Sequence, residues 1–175
     1  LLIDAEGTAT VTAPSTGLQI LGDLTVGQNG TTTFDVTTND PLLAVAGNTY
    51  IGPLGTIEAS DSNEFRVLGN YDNDGSFIAN GGTIAFRSPT SSVIAAGLSP
   101  FANVIVAVDS VKDFTESATA TANFTIDSTA QFELSSGATL AVGGTFSNNV
   151  GDVDSTWTGS TLRLYGGGEY QVNSK

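Results

Sequence analysis

The sequence predicts an all-β protein and, within that class, a parallel β-solenoid of about eight coils. Three observations support this prediction. Short segments alternate apolar and small polar residues, each segment ends in Gly, Asn, Asp, Ser or Pro, and similar phrases recur at a spacing of roughly 20 residues. No stretch carries the sustained period of about 3.6 residues that marks an amphipathic helix.

The predicted strands combine β-branched or aromatic residues with small polar ones, which suits a half-buried pleated surface. In chain order they are 24–26 (LTV), 32–36 (TTFDV), 43–45 (LAV), 65–67 (FRV), 83–86 (TIAF), 103–108 (NVIVAV), 124–126 (FTI), 131–134 (QFEL), 140–142 (LAV), 161–165 (TLRLY) and 170–172 (YQV). Their spacing of roughly ten residues, with Gly-rich turns between them, is typical of all-β folds.

One phrase occurs three times, at 43–50 (LAVAGNTY), 65–71 (FRVLGNY) and 140–146 (LAVGGTF). Each copy reads apolar-x-Val-x-Gly and ends in an aromatic ring. The longer segments 65–86 and 140–165 also align, and 24–36 resembles 124–134. These internal repeats predict stacked units of similar shape.

A period of roughly 20 residues corresponds to one coil of a parallel β-solenoid. A single coil cannot bury its apolar residues alone, so stacked coils share one continuous core. About eight coils at the usual strand spacing of roughly 4.8 Å give a rod about 40 Å long. A β-sandwich is the alternative, because its strand count and turn spacing fit the sequence as well.

The composition excludes several classes of function. Eighteen acidic residues against five basic ones give a net charge of −13, so the surface repels nucleic acid and anionic membranes. The chain has no Cys and no His, which excludes a disulfide, a Ser-His-Asp triad, a Cys nucleophile and an ordinary zinc site. No apolar run approaches the roughly 20 residues of a membrane span. Carboxylate chemistry and oxygen-ligated metals remain.

The segment 70–75 (NYDNDG) is the candidate metal site. Asn70, Asp72 and Asp74 stand at alternate positions before a Gly, as in the first half of an EF-hand calcium loop. The position that supplies the bidentate Glu in that loop is Gly81 here. Calcium is therefore the candidate ion, and no other cofactor is predicted.

A plain turn is the alternative interpretation of the same segment. In the repeat alignment, Thr145, Ser147 and Asn149 replace the three candidate ligands, so that turn would form without carboxylates. Asn and Asp favour such turns because their side chains bond to the nearby backbone.

Two further acidic clusters are present. One contains Glu58, Asp61 and Glu64, and the other contains Asp152 and Asp154. Each is open to interpretation as calcium ligands, as a glycosidase-like carboxylate pair or as solvated loop charge.

Three arginines are candidate bases for a polysaccharide lyase, a class that includes calcium-dependent β-solenoid enzymes. They are Arg66, Arg87 and Arg163. Arg163 aligns with Ala85 in the repeats, so that position accepts a small side chain. An exposed strand arginine with nearby carboxylates is the alternative interpretation.

Most aromatic residues fall at repeat positions and are interpreted as stacked core rings. They are Tyr50, Phe65, Tyr71, Phe77, Phe86, Phe101, Phe124, Phe132, Phe146 and Tyr165. Trp157 stands apart in the polar segment DSTWTGST. An exposed Trp157 would bind carbohydrate by stacking on a sugar ring, whereas a ring folded inward would cap the core.

Three segments carry a family resemblance: NYDNDGSFIANGGTIAF (70–86), FANVIV (101–106) and TFSNNVGDVDSTWTGSTLRLYGGGEYQVNSK (145–175). They resemble large bacterial β-strand-repeat cell-surface proteins, which are β-solenoids related to adhesins. The pattern covers residues 18–175. The resemblance implies secretion, exposure at the cell surface and a scaffold or adhesion role, and it implies no catalytic residues.

We interpret residues 1–175 as one all-β repeat domain, a segment of a longer surface protein, with residues 1–17 as an extended N-terminal strand or linker. The first functional hypothesis is a non-enzymatic extracellular solenoid that acts as a rigid cell-surface scaffold or adhesive segment. Its expected partners are neighbouring repeats, copies of itself, surface polysaccharide or another cell, with no nucleic acid and no membrane insertion. A self-assembling filament or sheath subunit that uses strand exchange is the second hypothesis, and a calcium-dependent polysaccharide-active solenoid is the third.

Overall fold

The computed structural model describes residues 1–150, 155–167 and 170–172. The only regular secondary structure assigned among these residues is β-strand, and all strand pairs are parallel. The chain winds through three flat faces and returns to the first, with Glu64 beside Thr83 in the shortest coil and Leu24 beside Thr49 in the longest. The predicted parallel β-solenoid is confirmed, and the β-sandwich alternative is wrong.

Each coil contributes one strand to each face in a fixed order, except that the coil of Ser92–Ala95 and Asn103–Val106 has no strand on the second face. The first face contains β1 (Leu2–Ile3), β4 (Leu24–Val26), β7 (Thr49–Ile51), β10 (Tyr71–Asn73), β13 (Ser92–Ala95), β15 (Val111–Phe114), β18 (Gln131–Leu134) and β21 (Ser155–Thr156). The second face contains β2 (Ala9–Thr12), β5 (Thr32–Asp35), β8 (Gly55–Glu58) and β11 (Ser76–Ile78), and then β16 (Ala118–Ala120), β19 (Thr139–Val142) and β22 (Thr161–Leu164). The third face contains β3 (Leu18–Ile20), β6 (Leu43–Val45), β9 (Glu64–Val67), β12 (Thr83–Phe86), β14 (Asn103–Val106), β17 (Phe124–Ile126), β20 (Phe146–Asn148) and β23 (Tyr170–Val172).

The first and third faces each hold eight strands, so the chain completes about seven full turns. We number the coils 1 to 8 by their first-face strand. Residues 1–17 contribute β1 and β2 to coil 1. The first, second and third corners are the turns that follow the first, second and third faces. Among the described residues, no helix is long and apolar enough to cross a membrane.

Alternation along the strands fills the interior. In β15, for example, Lys112 and Phe114 point inward and are buried, while Val111 and Asp113 are only half-buried. All nine phenylalanines of the chain are buried, including Phe34 and Phe114, which the repeat analysis does not place in the core. Adjacent coils therefore share one continuous apolar core, as stacking requires.

Aromatic rings contact one another through the middle of this core. Ring centroids lie 5.3 to 6.3 Å apart in most pairs, mainly in edge-to-face or tilted arrangements that aromatic rings prefer. The series begins with Phe65 and Phe77 and ends with Phe146 and Trp157. It couples coils 3 to 8 by direct ring contact.

The predicted core position of Tyr50 is wrong. Thr49 is the residue in register with Tyr71, so Tyr50 occupies the next, outward-facing position opposite Asp72. Tyr165 is also only half-buried, and its ring lies beneath the Arg163 guanidinium at 5.9 Å. The sequence alignment placed Tyr50 opposite Tyr71, which is one residue out of register with the structure.

The third copy of the repeated phrase occupies a different corner from the other two. Residues 43–50 and 65–71 stack in register at the third corner, with Leu43 beside Phe65. Residues 140–146 instead run from the second face to the third, and Leu140 lies beside Ala118. The predicted equivalence of 65–86 with 140–165 is therefore wrong, because any solenoid corner accepts the same strand-Gly-strand phrase.

Candidate functional site

The segment NYDNDG is not a single loop. Tyr71–Asn73 forms strand β10, so Asn70 ends the third corner and Asp74 begins the first. A strand rises roughly 3.3 Å per residue, which places the backbone of Asn70 more than about 10 Å from that of Asp74. The structure therefore does not bring Asn70 together with Asp74 in an EF-hand-like arrangement.

Asn70 belongs instead to a ladder of side chains along the third corner. The Asp23 carboxylate accepts the backbone N–H of Asn48 at 2.7 Å, and the Asn48 side-chain oxygen accepts the N–H of Asn70 at 3.0 Å. The Asn70 side-chain oxygen in turn accepts the N–H of Val93 at 2.9 Å. Each side chain thus satisfies a backbone donor of the next coil, which is how polar corner residues replace water.

The second corner repeats this device in later coils. The Asn103 side-chain oxygen accepts the backbone N–H of Asn123 at 3.3 Å and the Asn123 side-chain NH2 at 3.1 Å. The Asn123 side-chain oxygen accepts the N–H of Thr145 at 3.0 Å. Thr145, proposed as the counterpart of Asn70, therefore lies at another corner, but its N–H donates to a side-chain oxygen just as that of Asn70 does.

Carboxylates at other turns also act as hydrogen-bond acceptors. Asp35 accepts the hydroxyl and N–H of Thr38 and those of Thr37, and these bonds, chiefly that from the Thr38 hydroxyl, lower the pKa of Asp35 to about 2. Asp40 accepts the hydroxyls of Ser60 and Ser62, which lowers its pKa as well. These acids are structural acceptors rather than free ligands.

Asp72, on strand β10, remains near Asp74 at the first corner, and the structure adds Glu116 to them. Burial first, and then the charges of Asp74 and Glu116, raise the pKa of Asp72. The Tyr50 hydroxyl donates to the Asp74 carboxylate at 3.1 Å, which raises the pKa of Tyr50. Glu116 also accepts the backbone N–H of Gly97 at 3.3 Å. This group is the acidic first corner.

The acidic first corner attracts cations but does not form a compact ligand set. Within the described ranges, no group of three or more His, Cys, Asp or Glu residues is arranged to hold a metal ion. Tight calcium sites need six to eight convergent oxygens. The carboxylates at this corner can therefore concentrate cations by their charge, and calcium binding at Asp72 and Asp74 stays a prediction.

Trp157 faces the interior. Its ring lies 4.8 Å from the Phe132 ring and 5.7 Å from the Phe146 ring, centroid to centroid, and it packs against the buried core. The half-buried ring closes the aromatic series on the side of coil 8. Carbohydrate stacking on Trp157 stays a prediction that requires this ring to turn outward.

The three arginines lie near local partners. The Glu64 carboxylate forms ion pairs with the Arg66 guanidinium and, at 2.9 Å, with the Arg87 guanidinium. Arg163 lies over the Tyr165 ring. Arg87 follows a third-face strand, whereas Asp72 lies on the first face and Asp74 at the first corner, so the structure does not bring the candidate lyase residues together.

The first acidic cluster of the sequence is spread over three parts of a coil. Glu58 lies on the second face, Asp61 at the second corner and Glu64 on the third face. Asp152 and Asp154 lie outside the described residues. Glu58 and Asp61 line one open cleft, whereas Glu64 is held on the third face by Arg66 and Arg87.

Among the described residues, Lys112 is the charged residue that is completely buried, and sequence analysis did not single it out. Its ammonium donates to the Ser110 carbonyl at 2.9 Å and to the Ser110 hydroxyl. Burial lowers the pKa of Lys112 to about 8, and Asp109 opposes this shift. Period-two alternation from Phe114 would have placed Lys112 inward.

The fold and its corner ladders define a parallel β-solenoid. No protein family, curated protein or solved structure matches the chain.

Proposed function

We propose that this protein is a non-enzymatic extracellular segment that acts as a rigid scaffold or adhesive surface on a cell. The observation that carries the proposal is the continuous core, in which ring-to-ring contacts run from coil 3 to coil 8. Bending such a rod would separate rings and break corner bonds in several coils at once. Stiffness is therefore the property that this arrangement supplies best.

The length of the rod follows from the strand spacing. Eight stacked strands at roughly 4.8 Å span about 34 Å. Each coil of 19 to 25 residues adds one such step, as the pairs Glu64 with Thr83 and Leu24 with Thr49 indicate. A repeat of this kind suits a spacer, because each added coil lengthens the rod and packs against its neighbour in the same way as the coils before it.

The surface fits a function outside the cell. The chain carries a net charge of −13 and presents hydroxyl and amide side chains at its corners, which keep an exposed rod soluble. The sequence has no Cys, so the fold contains no disulfide. Surface polysaccharide or another cell is the proposed partner of the adhesive form.

Electron microscopy of the purified protein, with and without millimolar calcium, tests the scaffold proposal. We expect short isolated rods of the same length in both conditions. A glycan array and a cell-binding assay with protein-coated beads then test adhesion, and binding above that of an uncoated bead supports it. Globular particles, or cleavage of a polysaccharide by the protein, would contradict the proposal.

A filament or sheath subunit is the second candidate. Within the described chain, β1, β2 and β3 each pair on one side only, and Leu2 and Val11 are 64% and 43% exposed. Such edges accept an added strand. Regular fibres in the same micrographs would favour this candidate, and removing residues 7–13, which include β2, should then abolish them.

A further inference from the structure

The second face steps inward after coil 4. Thr83 follows Asp72 by 11 residues in coil 4, whereas their register partners in coil 5, Asn103 and Ala95, are only eight residues apart. Coil 6 is as short as coil 5 over the same part of the turn. A shorter path between the first and third faces lies closer to the core, so the second-face segment of coil 4 stands above those of coils 5 and 6.

The surface below this step is closed and mainly apolar. Residues 99–102 bond to coil 6 through their backbone, and the Ser99 hydroxyl accepts a backbone N–H of β11 in coil 4. A recess of about 530 Å³ lies over residues 99–102, and its lining includes Ile78, Pro100 and Ala122. A ligand in this apolar recess would lie on the outer surface of the rod, because the chain beneath it is already bonded to both neighbouring coils.

A cleft of about 470 Å³ adjoins the apolar recess at the first corner. Its lining includes Asp74 and Gly75 of coil 4, Gly97 and Leu98 of coil 5 and Glu116 of coil 6. The lining of the recess continues from this cleft along the chain, since residues 76 and 99 line the recess. We call the cleft the acidic cleft, because its two carboxylates lie in coils 4 and 6, on either side of coil 5. Each of the two spaces falls within the usual size of ligand sites, which are about 300 to 1,000 Å³.

The two carboxylates of the acidic cleft are held in place but not neutralised. Asp74 accepts the Tyr50 hydroxyl at 3.1 Å, and Glu116 accepts the backbone N–H of Gly97 at 3.3 Å. An ionised carboxylate offers about four acceptor positions, so each has capacity for a further donor. Among the described residues, no Lys or Arg lines the cleft or the recess, and both ion pairs involve Glu64 on the third face. The charge that complements this cleft must therefore come from a ligand.

We propose that the acidic cleft and the apolar recess together bind a small organic ammonium ion that carries an apolar chain. The ammonium group lies between Asp74 and Glu116, and the chain contacts the fully exposed Leu98 and lies over the recess beside Pro100. Leu98 and Pro100 are two residues apart, roughly 7 Å along the chain, so an alkyl chain of about six carbons spans them. A lysine side chain of a protein would place its polar backbone over the apolar recess, so a free amine fits better. The proposal does not depend on the scaffold function, because ligand binding is measured apart from rod length.

The test is a titration of the ¹⁵N-labelled protein with hexylammonium at pH 7 and low salt, observed through its amide NMR signals. Hexanoate is the control for charge, methylammonium is the control for the apolar chain, and N-acetyl-lysine methylamide represents a lysine of a partner protein. We expect saturable shifts centred on Gly97, Leu98 and Ala122 with hexylammonium. Hexanoate should bind at least tenfold more weakly, and methylammonium and the capped lysine at least threefold more weakly. The charge preference should shrink as salt screens the two carboxylates.

Two variants separate the contributions of charge and of apolar contact. Glu116→Gln should weaken hexylammonium binding at least fivefold, and Leu98→Ser should weaken it at least threefold. Their matched controls are Glu133→Gln, on β18 of the first face, and Leu21→Ser, an exposed leucine at the third corner, and both should leave the affinity nearly unchanged. Leu98 and Glu116 are exposed, so their replacement should not disturb the core. Circular dichroism identifies any variant that fails to fold, and the other variant then decides.

Several results would overturn the proposal. Absent or non-saturable shifts would do so, as would equal affinity for hexylammonium and hexanoate or binding that both cleft variants leave intact. Equal affinity for hexylammonium and methylammonium, or an equal loss in Glu133→Gln, would reduce the effect to general attraction of cations by the acidic surface. Tighter binding of the capped lysine than of hexylammonium would assign the cleft to a protein partner instead.

Discussion

At the scale of single residues, the core contains polar groups that a purely apolar interior would lack. The hydroxyl of Tyr71 is buried without a hydrogen-bond partner, and so are the hydroxyls of Thr49 and Ser92. Burial also raises the pKa of Tyr71 well above its ordinary value. A buried hydroxyl without a partner typically costs about 1 to 3 kcal/mol.

Replacing Tyr71 with Phe should therefore stabilise the protein. The ring contacts with Phe77, Phe86 and Phe101 would persist, and the unpaired hydroxyl would be removed. We expect a gain of about 1 kcal/mol in the free energy of unfolding, measured by urea denaturation. A loss of stability would mean that the hydroxyl has a partner, such as a buried water.

The buried Lys112 should make the stability of the protein rise with pH, whereas a salt-bridged lysine makes stability fall with pH. The pKa of Lys112 falls from 10.5 in the unfolded chain to about 8 in the folded protein, because burial disfavours the charged form. Between these values the unfolded chain binds more protons than the folded one, so stability rises with pH. Thermal melts from pH 7.5 to 10.5 should show the contribution of Lys112 as an increase in Tm.

Lys112→Met is the matched variant for this prediction. It replaces the buried ammonium with an apolar side chain of similar length and should stabilise the protein by about 1 to 3 kcal/mol at pH 7. The difference in Tm between wild type and variant should narrow as pH rises above 8. A constant difference across this range would contradict a lowered pKa.

At the scale of the elements, the corners carry side-chain hydrogen bonds that join one coil to the next, in addition to the backbone bonds between strands. The third-corner ladder joins Asp23, Asn48 and Asn70 to the backbone of the next coil at distances of 2.7 to 3.0 Å. Such ladders fix which residue of one coil lies beside which residue of the next. They explain why Asn and Asp are concentrated at corners that hold no metal ligand set.

Asn70→Ala should destabilise the protein by about 1 kcal/mol, because the N–H of Val93 loses its acceptor. Asn70→Asp keeps an acceptor at the same place and should retain most of the stability. Urea denaturation of both variants, with and without calcium, is the measurement. If both variants lost stability equally and only in calcium, Asn70 would be a metal ligand after all.

The sequence identified eleven of the 23 strands assigned among the described residues, and it did not determine their register. Alternation and Gly-rich corners identified strands such as Glu64–Val67 and Phe124–Ile126 closely. The phrase at 140–146 was misplaced because its second-to-third-face corner has the same local chemistry as a third-to-first-face corner. Glu116 was missed as a neighbour of Asp72 because that proximity depends on the register of distant coils.

At the scale of the whole molecule, coil 5 is the point where the three faces are not equivalent. The first and third faces run without interruption, but the second face is divided into sheets of four and three strands. Phe101 bridges the division through ring contacts with Tyr71, Phe77 and Phe86. On the second face, backbone bonds of Phe101 and Ala102 join coil 5 to coil 6, whereas ring packing and the Ser99 hydroxyl join coil 5 to β11 of coil 4.

Phe101→Ala should therefore weaken cooperativity as well as stability. We expect a loss of about 3 to 5 kcal/mol and the separation of unfolding into two transitions. Trp157, the only Trp, reports on the part that contains Phe132 and Phe146, while circular dichroism reports on all strands. In the wild type the two signals should coincide. Coincident signals with an unchanged denaturant slope in the variant would contradict this prediction.

The corner ladders also give the molecule a direction. In the ladders of Asn48, Asn70 and Asn123, the acceptor lies in the earlier coil and the N–H donor lies in the later one. At these corners, the side of each coil that faces the next one therefore carries side-chain oxygens at the positions where the N–H groups of the next coil donate. Each coil is thus a template for its successor, so a chain that emerges N-terminus first can add one turn at a time onto a surface prepared to receive it.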